Sequence, residues 1–156
     1  MVATLPEIAR RSDEAVVRAR TELVRAVRQA AASGMSQKEI AAQIGRSQPE
    51  VSRLLRFHGT SPLARRLRVH ATDIRRMITD AGGSNIRVFG SVATGQDNEN
   101  SDIDLLFTMR APLSLMQLGA LESCISQMVA AEVDLLPDSA LRPDLANRVL
   151  TEAVPL

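Results

Sequence analysis

The sequence predicts an α+β chain: an all-helical unit over residues 1–60, then over 61–156 a small mixed sheet with helices packed on it. Three observations carry that expectation. Two serine-led capping boxes stand back to back at 36–39 and 47–50. The hydrophobic period changes from helical to strand-like after Gly82-Gly83. The charge also divides: residues 1–80 carry 15 Arg and Lys against 8 Asp and Glu, a net +7, while 81–156 carry 4 against 10, a net −6. A basic half attracts polyanions, and an acidic half repels them unless metal ions intervene.

Within 156 residues, 45% apolar and 24% charged is globular composition and excludes wholesale disorder. No apolar run approaches the roughly 20 residues of a membrane span. The start, MVATLPEIARRSDEAV, lacks the basic-then-apolar order of a signal peptide, so the expected location is the cytoplasm. A lone Cys124 leaves no internal disulfide framework and no Cys-rich zinc site.

Taken in order, Ser12 to Ser33 reads as one helix, with Val16, Leu23, Val27 and Ala30 at helical spacing and Gly34 as its stop. Ser36 and Glu39 begin a second helix, which Gly45 ends. Ser47 and Glu50 begin a third, with Pro49 in the first turn and Val51, Leu54 and Leu55 on its buried side. The turn cluster at 58–62 marks the boundary between units. Leu63, Leu67, His70, Ile74, Met77 and Ala81 then read as one helical stripe. Short strands are expected at Asn85–Phe89, Ile103–Phe107 and Val133–Leu136, with helices at Leu113–Val129 and Pro143–Ala153. Cys124, at core spacing with Leu121, Ile125 and Met128, reads as a buried small hydrophobe.

Two short helices joined by Gly45-Arg46-Ser47 behind a longer supporting helix match the mechanics of a helix-turn-helix. The third helix would present Ser47, Gln48, Ser52 and Arg53 to base edges, Gln48 suiting adenine and Arg53 guanine. Arg46, Arg56, Arg65 and Arg66 suit phosphates, which position a protein without reading sequence. One such unit is small for specific binding, which points to a dimer or a complex.

The stretch 88–105, VFGSVATGQDNENSDIDL, carries the chemistry. A strand ends in Gly90-Ser91: the glycine admits close approach of a phosphate, and the serine adds a hydroxyl beside free helix-start amides. Asp102 and Asp104 are two apart on a strand and so share a face. Paired carboxylates repel, and a hard divalent cation shared with substrate phosphates compensates them. Asp134, on another strand, adds a third carboxylate, enough for two Mg²⁺ ions. No Gly-Lys-Thr/Ser phosphate loop is present, which excludes a P-loop ATPase.

At these residues the chain resembles the minimal nucleotidyltransferase family of the DNA polymerase β-like superfamily. Gly90-Ser91, ten residues, then Asp102-x-Asp104 matches the spacing of its antitoxin members, and the resemblance runs from about Leu63 to the C-terminus. It implies that Gly90 and Ser91 bind nucleotide phosphates, that Asp102 and Asp104 bind metal, and that Asp134 completes the site as ligand or base. It implies an antitoxin of a toxin–antitoxin system that transfers a nucleotidyl group, AMP from ATP, to a partner toxin and binds its own promoter DNA. The implied partner is a cognate toxin such as a HEPN ribonuclease, modified on a tyrosine; this chain has no Tyr, so transfer to tyrosine runs in trans. The implied assembly is a homodimer or a hetero-oligomer with the toxin. One departure stands out: members often carry Arg-Gly where this chain has Thr94-Gly95, which removes a cation from beside the phosphates. That departure keeps open a non-catalytic DNA-binding antitoxin whose fold only grips a toxin or a nucleotide. A small-molecule nucleotidyltransferase is the third reading, and the short chain counts against it.

Overall fold

The computed structural model describes residues 3–156. They form two compact units, one ending at Leu54 and one starting at Leu55.

The N-terminal unit is helical. Helix α1 spans Leu5–Ala32, α2 Gln37–Ile44 and α3 Gln48–Leu55. α1 starts about two turns before the expected Ser12. The Thr4 N–H and hydroxyl donate to Glu7 Oε2 at 2.7 and 3.0 Å, and Pro6 fits the first turn, where its missing N–H is not needed. The two serine boxes form as expected: Glu39 N–H donates to Ser36 Oγ at 3.2 Å and Glu50 N–H to Ser47 Oγ at 3.3 Å. Gly45 ends α2 in the left-handed conformation, at φ 66°, which a glycine adopts without the Cβ clash of other residues. Val27, Ile40, Ala41 and Val51 are buried as the core of this unit. The Arg28 guanidinium donates to the Leu54 carbonyl at 3.2 Å and satisfies the last turn of α3. Burial in that position brings its pKa down to about 10.

The C-terminal unit begins ahead of the turn cluster read as the boundary. Phe57 is buried in its core and donates its N–H to the Pro155 carbonyl at 3.0 Å. Segment 55–60 is therefore part of this unit although its composition is that of a linker. α4 (Pro62–Val69) and α5 (Ala71–Asp80) replace the single helix expected from Pro62 to Ala81, whose start with Ser61 as N-cap is as expected. At the junction His70 leaves helical geometry at φ −97°, ψ 5°, yet its N–H still donates to Arg66 O and its carbonyl accepts from Ile74 N. The apolar stripe therefore stays in phase across the break, with Leu67, Ile74 and Ile78 fully buried.

Strands β1 (Gly83–Phe89), β2 (Ile103–Met109), β3 (Val133–Pro137) and β4 (Val154–Pro155) form one sheet in the order β3-β2-β1-β4. β2 and β3 are parallel and the other neighbours antiparallel. Between the strands lie α6 (Gly90–Thr94), α7 (Leu115–Val129) and α8 (Pro143–Glu152). β4 was not expected; its two residues pair with Arg87 and Val88, and two residues are too few to show a period. Val88, Ile103, Leu105, Phe107 and Ile125 form the centre of the core. Cys124 is exposed, against expectation: the buried stripe of α7 is centred on Ile125 and Val129, and Cys124 sits about a quarter turn away. No described helix is long and apolar enough to cross a membrane.

Phe107 is fully buried in β2, and the Cβ of any residue replacing Gly83 would press on its ring. Phe107→Ala is expected to lower stability by about 3–5 kcal/mol, read as a shift of the urea midpoint of the C-terminal unit with an unchanged slope.

Candidate active site

Two registers build the site. Phe89 of β1 pairs with Asp104 of β2, and Asp104 pairs with Asp134 of β3. Side chains alternate along strands, so Asp104 and Asp134 project from the same sheet face as neighbours. Asp102 immediately precedes β2, two residues before Asp104, and shares that side. Leu105 and Leu135 alternate to the opposite face and are buried in the core, which keeps the aspartates on theirs.

β1 ends beside Asp104 and turns at once into α6. Gly90 makes that turn at φ 73°. Any Cβ there would fall on Asp104 Oδ2 and lie 3.2 Å from its Cγ, so the carboxylate rests directly against the glycine backbone. The first turn of α6 leaves the Ser91 and Val92 N–H groups without intrahelical acceptors. Thr94, the departure from the family pattern, turns its hydroxyl back onto the helix and donates to the Gly90 and Ser91 carbonyls at 3.3 and 3.2 Å. It directs no positive charge toward the site. The loop to Asp102 is also fixed: Ser61 Oγ donates to Asp97 Oδ2 at 2.5 Å, and Asn98 N–H to Ser101 Oγ at 2.9 Å.

The electrostatics follow from this crowding. Half-burial pushes Asp104 up from 3.8 to about 6, with Asp134 and Asp102 adding like-charge repulsion. Asp134 is raised as well, by desolvation first and then by Asp102 and Glu122. Hard carboxylate oxygens that repel one another are the donor chemistry a divalent cation fits. Among the described residues, however, no three His, Cys, Asp or Glu groups stand in position to hold an ion. Asp102, Asp104 and Asp134 thus share one face with mutual repulsion.

Sequence reasoning missed what holds Asp134. β3 is the edge strand, and its outward N–H groups are bound by α7: Val133 N–H donates to Ser126 Oγ at 3.1 Å and Leu135 N–H to Glu122 Oε2 at 3.0 Å. Ser126 and Glu122 are one helical turn apart and bracket Asp134, closing an edge that would otherwise be open to pairing. A cleft of about 480 Å³ lies along this seam, lined by Gly119, Glu122, Ser126 and Asp134 among others. The spacing Glu-x-x-x-Ser was visible in the sequence, but its target was not.

The residues expected to meet DNA lie on or beside α3. Arg46, Gln48, Arg53 and Arg56 are exposed and Ser52 is half-buried. Ser47 is exposed but committed: its hydroxyl donates to Glu50 Oε2 at 3.0 Å while accepting from Glu50 N–H, so it caps the helix. Arg65 is exposed, whereas Arg66 donates to the Ala130 carbonyl at 2.7 Å and holds the end of α7.

Compared with known proteins, residues 68–156 match the Nucleotidyltransferase domain family. The protein adenylyltransferase MntA of Thermococcus cleftensis is 33% identical over 88 residues, 56% of this chain and 86% of that protein. A solved structure described as a candidate minimal nucleotidyltransferase is 33% identical, with a TM-score of 0.53, covering 58% of this chain and 92% of the other. A toxin–antitoxin structure with AMP-PNP shares the fold at 23% identity and a TM-score of 0.50, covering 54% of this chain and 69% of that one. The family match leaves out α1, α2 and α3.

The raised Asp104 carboxyl binds its proton more tightly in the folded chain than in the unfolded one. Its contribution to stability is therefore most favourable below about pH 4 and declines as pH rises through about 6. Asp104→Asn in metal-free buffer is expected to raise stability at pH 7.5 by about 1–2 kcal/mol, once solvent screening of a half-exposed group is allowed for. The gain should vanish near pH 4, and urea titrations at the two pH values measure both.

Proposed function

The chain belongs to the nucleotidyltransferase domain family and is a transferase, and from that premise we propose that it is the antitoxin of a toxin–antitoxin pair, moving AMP from ATP onto a hydroxyl of its partner toxin. The register that sets Asp104 beside Asp134, with Gly90-Ser91 at its end, is the observation that carries this reading. The MntA relative, a protein adenylyltransferase, and the toxin–antitoxin structure with AMP-PNP support the donor and the type of acceptor.

In this reading the N–H groups of Gly90, Ser91 and Val92 bind the triphosphate, with the Ser91 hydroxyl beside them. The glycine lets that anion approach the backbone on one side while Asp104 occupies the other. Asp102, Asp104 and Asp134 would hold Mg²⁺, two ions in the full site, and the ions would supply the positive charge that lets three carboxylates and a triphosphate share one face. The acceptor hydroxyl oxygen bonds to the α-phosphorus in line with the departing pyrophosphate, breaking the α–β phosphoanhydride bond. Asp134, exposed at the edge of the cleft and raised in pKa, accepts the hydroxyl proton. The acceptor's tyrosine comes from the partner, a HEPN-type ribonuclease in this reading, because the present chain contains none.

The N-terminal helices form the second part of the proposal, a helix-turn-helix that binds the operator of its own gene in the cytoplasm. The basic excess of residues 1–80 and the exposed Arg46, Gln48, Arg53 and Arg56 support it, with Gln48, Ser52 and Arg53 facing bases and Arg46 and Arg56 phosphates. The boundary lies near residue 60 by composition and at Leu54 by packing. A non-catalytic antitoxin is favoured by one observation alone, the inward-turned Thr94 hydroxyl that leaves the phosphates without a neighbouring cation from this position.

Incubation with labelled ATP, Mg²⁺ and the product of the neighbouring gene separates the two readings. Asp104→Ala is expected to lower label transfer at least 100-fold with operator affinity unchanged, and undiminished labelling would reject the assignment. Arg53→Ala should cost about 1–3 kcal/mol of operator binding in a titration, with transfer intact.

A further inference from the structure

α1 is far longer than the packing of its own unit uses. Val24, Val27 and Arg28 on its last turns pack or are half-buried, whereas every residue from Thr4 to Arg20 is exposed. That leaves about 24 Å of helix with no tertiary support. Isolated helices of this length are marginal in water, and most draw their stability from an apolar face packed on something. Such a face exists here. Leu5, Ala9, Ser12, Val16, Ala19, Leu23 and Ala26 recur at alternating spacings of four and three, a heptad seam. Leu5 is 83% exposed and Val16 64%; Ile8, at the margin of the same face, is 50% exposed. All the charged residues of α1 lie off this seam, so no charge interrupts it from the first turn to Ala26, and Ser12 is its one hydroxyl.

The flanking charges identify the occupant. Asp13 and Arg20 lie on one border of the seam, with Ala15 and Glu22 on the other. If a second α1 runs antiparallel, so that Val16 packs against Ala19 and Ser12 against Leu23, then Asp13 faces Arg20 of the other copy twice over by symmetry. In the same register Glu22 lies over Ala15 of the second copy, between its Arg11 and Arg18. A parallel pair sets Asp13 against Ile8 and Arg20 against Ala15, with no ion pair on either border. Neither Asp13 nor Arg20 has an ion pair of its own among the described residues, although Arg10, Glu14 and Arg18 on the outer face do.

We propose that α1 is the two-fold interface of a homodimer, in which residues 5–26 pair antiparallel with a second copy of this chain. The inference does not depend on transferase activity or on DNA binding. Deleting the operator or inactivating Asp104 leaves it standing, and its own failure leaves them standing.

Sedimentation of the full chain tests it, with helicity by circular dichroism as the folding control. The wild-type chain is expected to be dimeric. Asp13→Arg sets Arg against Arg on both sides of the two-fold axis, and Arg20→Asp sets Asp against Asp. Each is expected to raise the dimer dissociation constant roughly tenfold or more, with helicity of the C-terminal unit and its unfolding transition unchanged. An equimolar mixture of the two single variants should recover dimers, now heterodimers, because each Arg then meets an Asp. A Val16→Asp variant should be monomeric. A monomeric wild-type chain would overturn the proposal, including the case in which this chain's own C-terminal unit covers the seam. So would a dimer whose dissociation is indifferent to both charge reversals, which would place the interface elsewhere or the helices parallel.

Discussion

The close approach of the Asp104 carboxylate to the Gly90 backbone sets the terms for the rest of the C-terminal unit. A carboxylate can lie there only because residue 90 has no side chain and accepts a φ of 73°. The same contact fixes where α6 begins, and hence where its unsatisfied N–H groups point. The result is a half-buried carboxylate with two like charges beside it, which is unfavourable in the bare protein. The rise of Asp104 to about 6 is the measure of that tension. Relief comes from a proton, so one geometric fact ties the stability of the fold at neutral pH to the ionisation of this carboxylate.

The frame around this contact is built to resist the repulsion. Asp134 sits on an edge strand, the least supported place in a sheet, and like charges beside it favour movement outward. Ser126 and Glu122 hold the strand by both of its outward N–H groups, at Val133 and Leu135. Glu122 does so at an electrostatic cost, since its charge also raises Asp134. A carboxylate accepting a backbone N–H makes a stronger bond than a neutral group would, which offsets that repulsion. Arg66 anchors the far end of α7 through the Ala130 carbonyl. An arginine assigned to phosphate on its residue type alone is therefore part of the scaffold.

What could be read from the sequence follows a physical line. Elements that write a long period or a cap were legible: α2 and α3 start where Ser36 and Ser47 box with Glu39 and Glu50, and β1, β2 and β3 carry short apolar runs bounded by turns. That Gly90 meets Asp104 could be anticipated from Gly90-Ser91 and Asp102-x-Asp104, because glycine freedom and strand alternation are local properties. Tertiary facts were not legible. The closing residues Val154 and Pro155 become a strand only because β1 offers an edge. Phe57 belongs to the C-terminal core although its neighbours spell a linker. Cys124 differs from a core position by one step along α7, a distinction that needs the centre of the buried stripe and not just its spacing.

The N-terminal unit poses the complementary problem, too much ordered helix for the core it has. Val27, Ile40, Ala41 and Val51 are sufficient to seat α2 and α3 on the end of α1, and the capping boxes supply the local rigidity a small unit needs. They do nothing for the turns that precede Thr21. Helix propensity alone does not account for that length, because an exposed cap such as Thr4–Glu7 and exposed pairs such as Arg10–Glu14 each add little. A sequence that keeps Leu5, Ala9 and Val16 in phase across a span with no partner in its own unit, and sets opposite charges along a border of that phase, is shaped by a surface outside that unit. The arrangement of charge, more than the apolar stripe, carries this step: hydrophobic residues would suit many partners, but alternating Asp13 and Arg20 about the middle of the helix matches its own reverse.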